Sequence, residues 1–142
     1  MIRELEVKDI NKVMEVWKDA TIEAHDFIDR EYWLRKYNEV KDVYIPASKT
    51  FVYEENSHIK GFISILNNEF IGALFVDISS QGKGIGGQLI DFAKKRYSKL
   101  GLAVYKNNKK AAEFYKHKGF VLCEEKVDED TNEKELIMKF QM

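Results

Sequence analysis

QGKGIGGQLIDFA, residues 81 to 93, places glycines at 82, 84, 86 and 87 and then runs straight into an amphipathic helical pattern. Glycine is costly in regular structure, so this density points to a backbone in unusual dihedrals or in close approach to a ligand. The helix that follows turns its unpaired N–H groups and its positive dipole end toward the same spot. The stretch reads as a phosphate cradle. The sequence on either side decides whose phosphates it holds, and with them the fold.

Upstream, TFVYE (50–54), IKGFISIL (59–66) and FIGALFV (70–76) are rich in β-branched and aromatic residues. Asn56 with Ser57, and Asn67 with Asn68, stand between them as turn formers, so the three segments read as an antiparallel meander. The third is apolar almost throughout, which predicts a central strand buried on both faces. It ends at Asp77, just before the glycines. Farther upstream, IRELE (2–6) alternates as a half-buried strand does. Ile10, Val13, Met14, Trp17 and Ala20 recur on one helical face, with Asp9 as the expected N-cap. Asp29 to Val40 repeats that pattern through Tyr32, Trp33, Lys36 and Tyr37, and Pro46 marks an irregular stretch after it.

Downstream, Leu89 to Tyr97 continues the helix, Gly101 to Val104 is a short strand, and Asn108 to Lys118 is a helix stopped at Gly119. VLCEEKV (121–127) and KELIMKFQ (134–141) pair across DEDTNE, which makes the acidic run 124–135 a solvated hairpin tip. The order is strand, two helices, three strands, helix, strand, helix, two strands. There is no internal repeat or linker, and 142 residues with 44% hydrophobic content fit one domain, 1–142.

Gly82, Gly84 and Gly87 satisfy GxGxxG, the dinucleotide fingerprint of an oxidoreductase. That fingerprint belongs at the first turn of a βαβ unit, with an acid about twenty residues on. Here LAVYKNN follows instead, and the strands before the loop read as antiparallel. Nor is it a P-loop, because Lys83 is followed by glycine and not by Ser or Thr.

Basic and acidic residues nearly cancel, 23 against 24, so the chain is expected to bind neither nucleic acid nor an anionic membrane. The charged N-terminus has no signal-like apolar run, and a cytoplasmic protein is expected. The lone Cys123 rules out an internal disulfide and reads as a core or strand thiol. The three histidines show no metal-ligand spacing, so no metal is expected.

Gln81, Gly84 and Gly86 form QxxGxG, which resembles motif A of the GCN5-related N-acetyltransferases. NKKAAEFYKHKGF (108–120) is similar to that family's Asn, Ala, Tyr and Gly-Phe spacing after the fifth strand. The resemblance covers essentially the whole chain, with Ile78 standing where many relatives have proline. It implies an α/β fold, a mostly antiparallel sheet of about seven strands flanked by four helices. It also implies acetyl-CoA as co-substrate and a small-molecule or peptide amine as acceptor. Gln81, Gly82, Lys83, Gly84, Ile85, Gly86 and Gly87 would hold the pyrophosphate, Leu74, Phe75 and Val76 the pantetheine arm, and Asn108 would cap its helix, contact the cofactor, or both. Tyr115 is the implied acid for the departing thiolate, against the reading of a core aromatic beside Phe114 and Phe120. Glu69 is the candidate base, against a solvated turn residue. His25 and Phe27, in AHDFI, fall where the family shapes its acceptor pocket, and Asp26, Asp29 and Glu31 would favour a cationic amine. A non-catalytic acyl-CoA sensor on the same fold is the rival reading, and sheet-edge or C-terminal strand pairing is compatible with a homodimer.

Overall fold

Alternation and helical periodicity build the elements in the expected order. The computed structural model describes all 142 residues. Strand β1 (Ile2–Glu4) leads through a 3-10 turn to α1 (Ile10–Ala24), and α2 (Arg30–Glu39) follows. The meander is β2 (Lys49–Glu55), β3 (His58–Leu66) and β4 (Phe70–Val76). After the glycine loop come α3 (Ile85–Arg96), β5 (Lys99–Tyr105), α4 (Lys109–His117), β6 (Val121–Val127) and β7 (Lys134–Gln141). The seven strands form one sheet in the order β1-β2-β3-β4-β5-β7-β6, antiparallel except where β4 meets β5. Asn56, Ser57, Asn67 and Asn68 all take positive φ between 52° and 66°, so both meander turns are the tight, left-handed kind their residues suggest.

Successive strand residues face opposite ways, so the sheet sorts its own core. Phe51, Ile63 and Ile65 pack under α3 and α4 with Leu89, Ile90 and Tyr115. Their neighbours Val52 and Phe62 point to the other face, against Val13, Met14 and Trp17 of α1. Phe62 and Val13 are fully buried, each contributing about 1.5–3 kcal/mol relative to exposure. No helix is long and apolar enough to cross a membrane.

Several local expectations change. Asp9 does not cap α1: its carboxylate accepts from the Arg3 guanidinium at 2.8 and 3.0 Å and from Glu6 N at 2.8 Å, joining β1 to the start of α1. The paired guanidinium holds that carboxyl below its ordinary range. Asp29 does cap α2, accepting from Glu31 N at 2.9 Å. The stretch around Pro46 is helical, a π turn (Val40–Tyr44) and a last α turn (Ile45–Ala47), with Ile45 N–H reaching back to the Val40 carbonyl. Cys123 lies in a strand as expected but is exposed, because β6 is the sheet edge and is exposed throughout.

Candidate active site

Strand β4 is zipped to β3 but joins the β5 ladder only at the parallel pair Phe70↔Gly101, where Gly101 N donates to Glu69 O at 2.7 Å. Beyond that rung the strands diverge, and a cavity of about 190 Å³ opens between Leu74 and Phe75 on one side and Ala103 and Val104 on the other. This corrects the expectation of a strand buried on both faces: only Ile71 is buried in β4, while Ala73 to Val76 are half-exposed. The physical reason is the missing neighbour. An apolar strand with unpaired backbone groups on one edge is suited to an extended ligand carrying amides of its own.

At the open end of this slot the chain passes a 3-10 turn (Ile78–Ser80) into the glycine loop. Gly82 and Gly84 have φ of 79° and 83°, the left-handed region, and a Cβ on either would meet nothing within 4 Å. Their role is therefore conformational, to bend the loop, and not to relieve crowding. Gly86 and Gly87 lie inside α3, a different job from the loop first expected of them. Gly84 is the N-cap without any side-chain cap bond, and the first helical bond is Gln88 N to Gly84 O at 3.1 Å. The N–H groups of Ile85, Gly86 and Gly87 are thus left unpaired by helix geometry, with no acid in that turn. Gln81 turns inward, its Nε2 donating to Val76 O at 3.1 Å, and so ties the loop to the end of β4. Lys83 is exposed on the loop. The sequence reading missed Lys118, whose Nζ would stand 3.3 Å from a Cβ on Gly87 and pairs with Asp91 at 3.1 Å. Its place one residue before Gly119, at the end of a helix packed beside α3, was the available signal.

Deeper in the slot, α4 presents Asn108 and Tyr115. Asn108 caps the helix, its Oδ1 accepting from Ala111 N at 3.3 Å, and its Nδ2 faces His25 Nε2 at 3.4 Å. The carbonyl of Thr21 lies 2.7 Å from His25 Nδ1 and can only accept, so that nitrogen carries the proton and Nε2 is the acceptor. Burial holds this imidazole below its ordinary pKa of 6.5, hence neutral. His25 is walled by Phe27, Trp33 and Tyr105 with ring centroids 5.7, 5.3 and 5.3 Å away. Tyr115 packs edge-on against Phe114 and Phe120, as the core reading has it, and also lines the slot, as the chemical reading requires. Burial pushes its phenol up, which keeps it protonated at neutral pH. Glu69 is not brought to this group. It is exposed in the β3–β4 turn, at the closed end of the wedge, and lines neither large cavity.

A second cavity of about 400 Å³ lies on the α1–α2 side and shares Trp17, Trp33, Gly72 and Ala73 with the slot. Gly72 is the extra residue of a bulge, since Ser64 pairs with Ala73 and Ile65 with Ile71. The bulge sits at the throat between the two spaces. The acidic hairpin tip, expected to be merely solvated, instead closes over this cavity. Tyr32 Oη donates to Asp130 at 3.3 Å, Lys36 Nζ reaches the same carboxylate at 3.5 Å, and Tyr105 Oη donates to Asp128 at 2.7 Å. Burial, then the Asp130 charge, push the Tyr32 phenol up to about 12. No cluster of His, Cys, Asp and Glu gathers as a metal site.

The chain as a whole has relatives among known proteins. Residues 17–135 match the family model of the acetyltransferase (GNAT) domain. The peptidyl-lysine N-acetyltransferase YiaC of Escherichia coli K12 is 34% identical over 120 residues, 84% of this chain and 82% of its own. The solution structure of apo YjaB from Escherichia coli superposes with a TM-score of 0.85 at 25% identity, covering 99% of this chain and 96% of that one. The PaiA N-acetyltransferase of Thermoplasma acidophilum, solved in complex with coenzyme A, has the same fold, with a TM-score of 0.82 at 20% identity over 100% of this chain and 98% of its own. With a split sheet, a glycine-bent loop at a bare helix N-terminus and a family match over most of its length, this chain belongs to the GNAT family of N-acetyltransferases.

Proposed function

We propose that this protein transfers the acetyl group of acetyl-CoA to the side-chain amine of a lysine in a peptide or protein, by direct attack and without an acyl-enzyme. The observation that carries this reading is the wedge between β4 and β5, which has a phosphate-type helix terminus at its open end and an aromatic-walled cavity across its throat. The lysine acceptor is supported by the relative at 34% identity, a peptidyl-lysine N-acetyltransferase.

The donor's pyrophosphate would rest on the N–H groups of Ile85, Gly86 and Gly87, with Gly82, Lys83 and Gly84 shaping the approach and Gln81 fixing the loop. The pantetheine arm would lie along the open side of β4 at Leu74, Phe75 and Val76, its amides pairing with edge backbone groups other than the Val76 carbonyl, which Gln81 already occupies. A lysine amine has a pKa of about 10.4 and must lose a proton before it attacks. Glu69 lies outside the slot and His25 is a weakened base, so that proton passes to water in the acceptor cavity. The nitrogen then forms a bond to the thioester carbon, the C–S bond breaks, and the thiolate takes the proton of Tyr115, which solvent restores. Asn108 and His25 hold α1 and α4 at a fixed distance around the reacting groups, and Phe27 closes the aromatic wall beside them.

The test is thiol release from acetyl-CoA by the purified protein in the presence of a lysine-peptide panel, with acetyl-lysine identified in the product by mass spectrometry. Binding of acetyl-CoA with no release against any amine in a broad panel would replace this reading by a non-catalytic acyl-CoA sensor.

A further inference from the structure

Two hydroxyls, Thr50 at 4% and Ser64 at 3% exposure, are buried where β2 and β3 run together, and neither is needed by the sheet ladder. With the half-buried Ser48 they form a chain: Ser48 Oγ donates to Ile45 O at 3.0 Å, Ser48 and Thr50 are 3.1 Å apart, and Thr50 and Ser64 are 2.7 Å apart. A hydroxyl has one proton, and a carbonyl has none to give. Ser48 has used its proton on Ile45 O, so it accepts from Thr50, and Thr50 in turn accepts from Ser64. The direction of the whole chain is set by that terminal carbonyl. Ser64 is left with its proton committed and its lone pairs free.

That free acceptor lies at the most consequential place in the fold. Ser64 lines the larger cavity, and its strand partner Ala73, together with the bulged Gly72, lines both cavities. The charged groups lining the same cavity are already matched, Lys36 Nζ standing 3.5 Å from Asp130 and 3.8 Å from Glu39. The chain cannot carry a proton away, since it ends at a carbonyl. It can orient an N–H donor. A neutral oxygen at this point favours a neutral amine over an ammonium, whose desolvation it would not offset.

We propose that Ser64 Oγ accepts one N–H of the acceptor amine at the throat, which aims the nitrogen lone pair across it toward the thioester. This rests on the acetyltransferase reading, and the experiment separates the two. Wild type, Ser64→Ala and Thr50→Val, each saturated with CoA, are titrated with Nα-acetyl-lysine methylamide by NMR, and amine KM, kcat, acetyl-CoA affinity and thermal midpoint are measured alongside. Ser64→Ala is expected to weaken amine binding and raise amine KM about three- to tenfold, the worth of one neutral hydrogen bond, with acetyl-CoA affinity unchanged. Thr50→Val keeps the Ser64 oxygen and is expected to move amine binding by less than about twofold. The proposal is overturned if Ser64→Ala binds the amine as wild type does, if wild type binds no amine, or if both variants lose affinity equally in step with their thermal midpoints. Should wild type bind the amine through Ser64 yet acetylate nothing, the catalytic reading falls and this site stands.

Discussion

Along one edge β4 pairs with β3 over six residue pairs, while along the other it meets β5 at a single one. The residues are equally apolar on both sides of that strand. On the β3 side their neighbours are buried side chains such as Phe62 and Ile63, and on the β5 side they border an open slot. The difference teaches that hydrophobicity along a strand says that something covers it, and not whether the cover is protein or ligand.

The contrast can be broken first where it is tightest. Ile63→Ala, in the zipped seam, is expected to cost about 2–5 kcal/mol of stability, read by denaturant melts, while the slot of the folded fraction binds acetyl-CoA as before. Ala103→Trp acts on the open seam. Ala103 is exposed and lines the slot, so the indole should leave the melt nearly unchanged and weaken acetyl-CoA about a hundredfold, roughly 2.7 kcal/mol, measured by calorimetry. Tyr115→Phe keeps the ring packing and removes the proposed acid. Turnover should fall at least about tenfold with cofactor binding near normal, and an unchanged rate would remove Tyr115 from the chemistry.

Smaller effects sharpen the comparison. His25 has a folded pKa held below 6.5, so its contribution to stability is present above pH 6.5 and is lost as pH falls through the folded value. A second imidazole proton would also set Nε2–H against the Asn108 amide N–H. The thermal midpoint should therefore drop on acidification below pH 6.5, and His25→Gln should flatten that slope. Glu69→Gln should change kcat/KM by less than about twofold, since an exposed carboxylate outside both cavities is not positioned for proton transfer. A larger loss would return the base to that turn.

Much of this was legible in the residues. Period-two and period-3.6 patterns gave the element order, asparagines the meander turns, and Gly82 and Gly84 the bent loop, because each depends on local backbone preferences. The Asn108 cap was readable for the same reason. What escaped depends on partners distant in sequence. Asp9 looked like a cap until Arg3 claimed it. The acidic tip looked solvated until Tyr32 and Tyr105 met Asp130 and Asp128. The apolar run of β4 could not announce that β5 would leave it, and nothing in TFVYE or IKGFISIL showed that Thr50 and Ser64 would line up in one hydrogen-bonded row.

The seam held by Phe70 and Gly101 has a kinetic consequence. On the proposed reading, everything it offers a ligand, a bare helix terminus and a strand edge, engages parts that acetyl-CoA and spent CoA have in common. Neither contact distinguishes the charged carrier from the discharged one, so the product competes for the same seam with comparable strength. The rate would then follow the ratio of acetylated to free CoA more closely than the concentration of either, and strong product inhibition would be its signature.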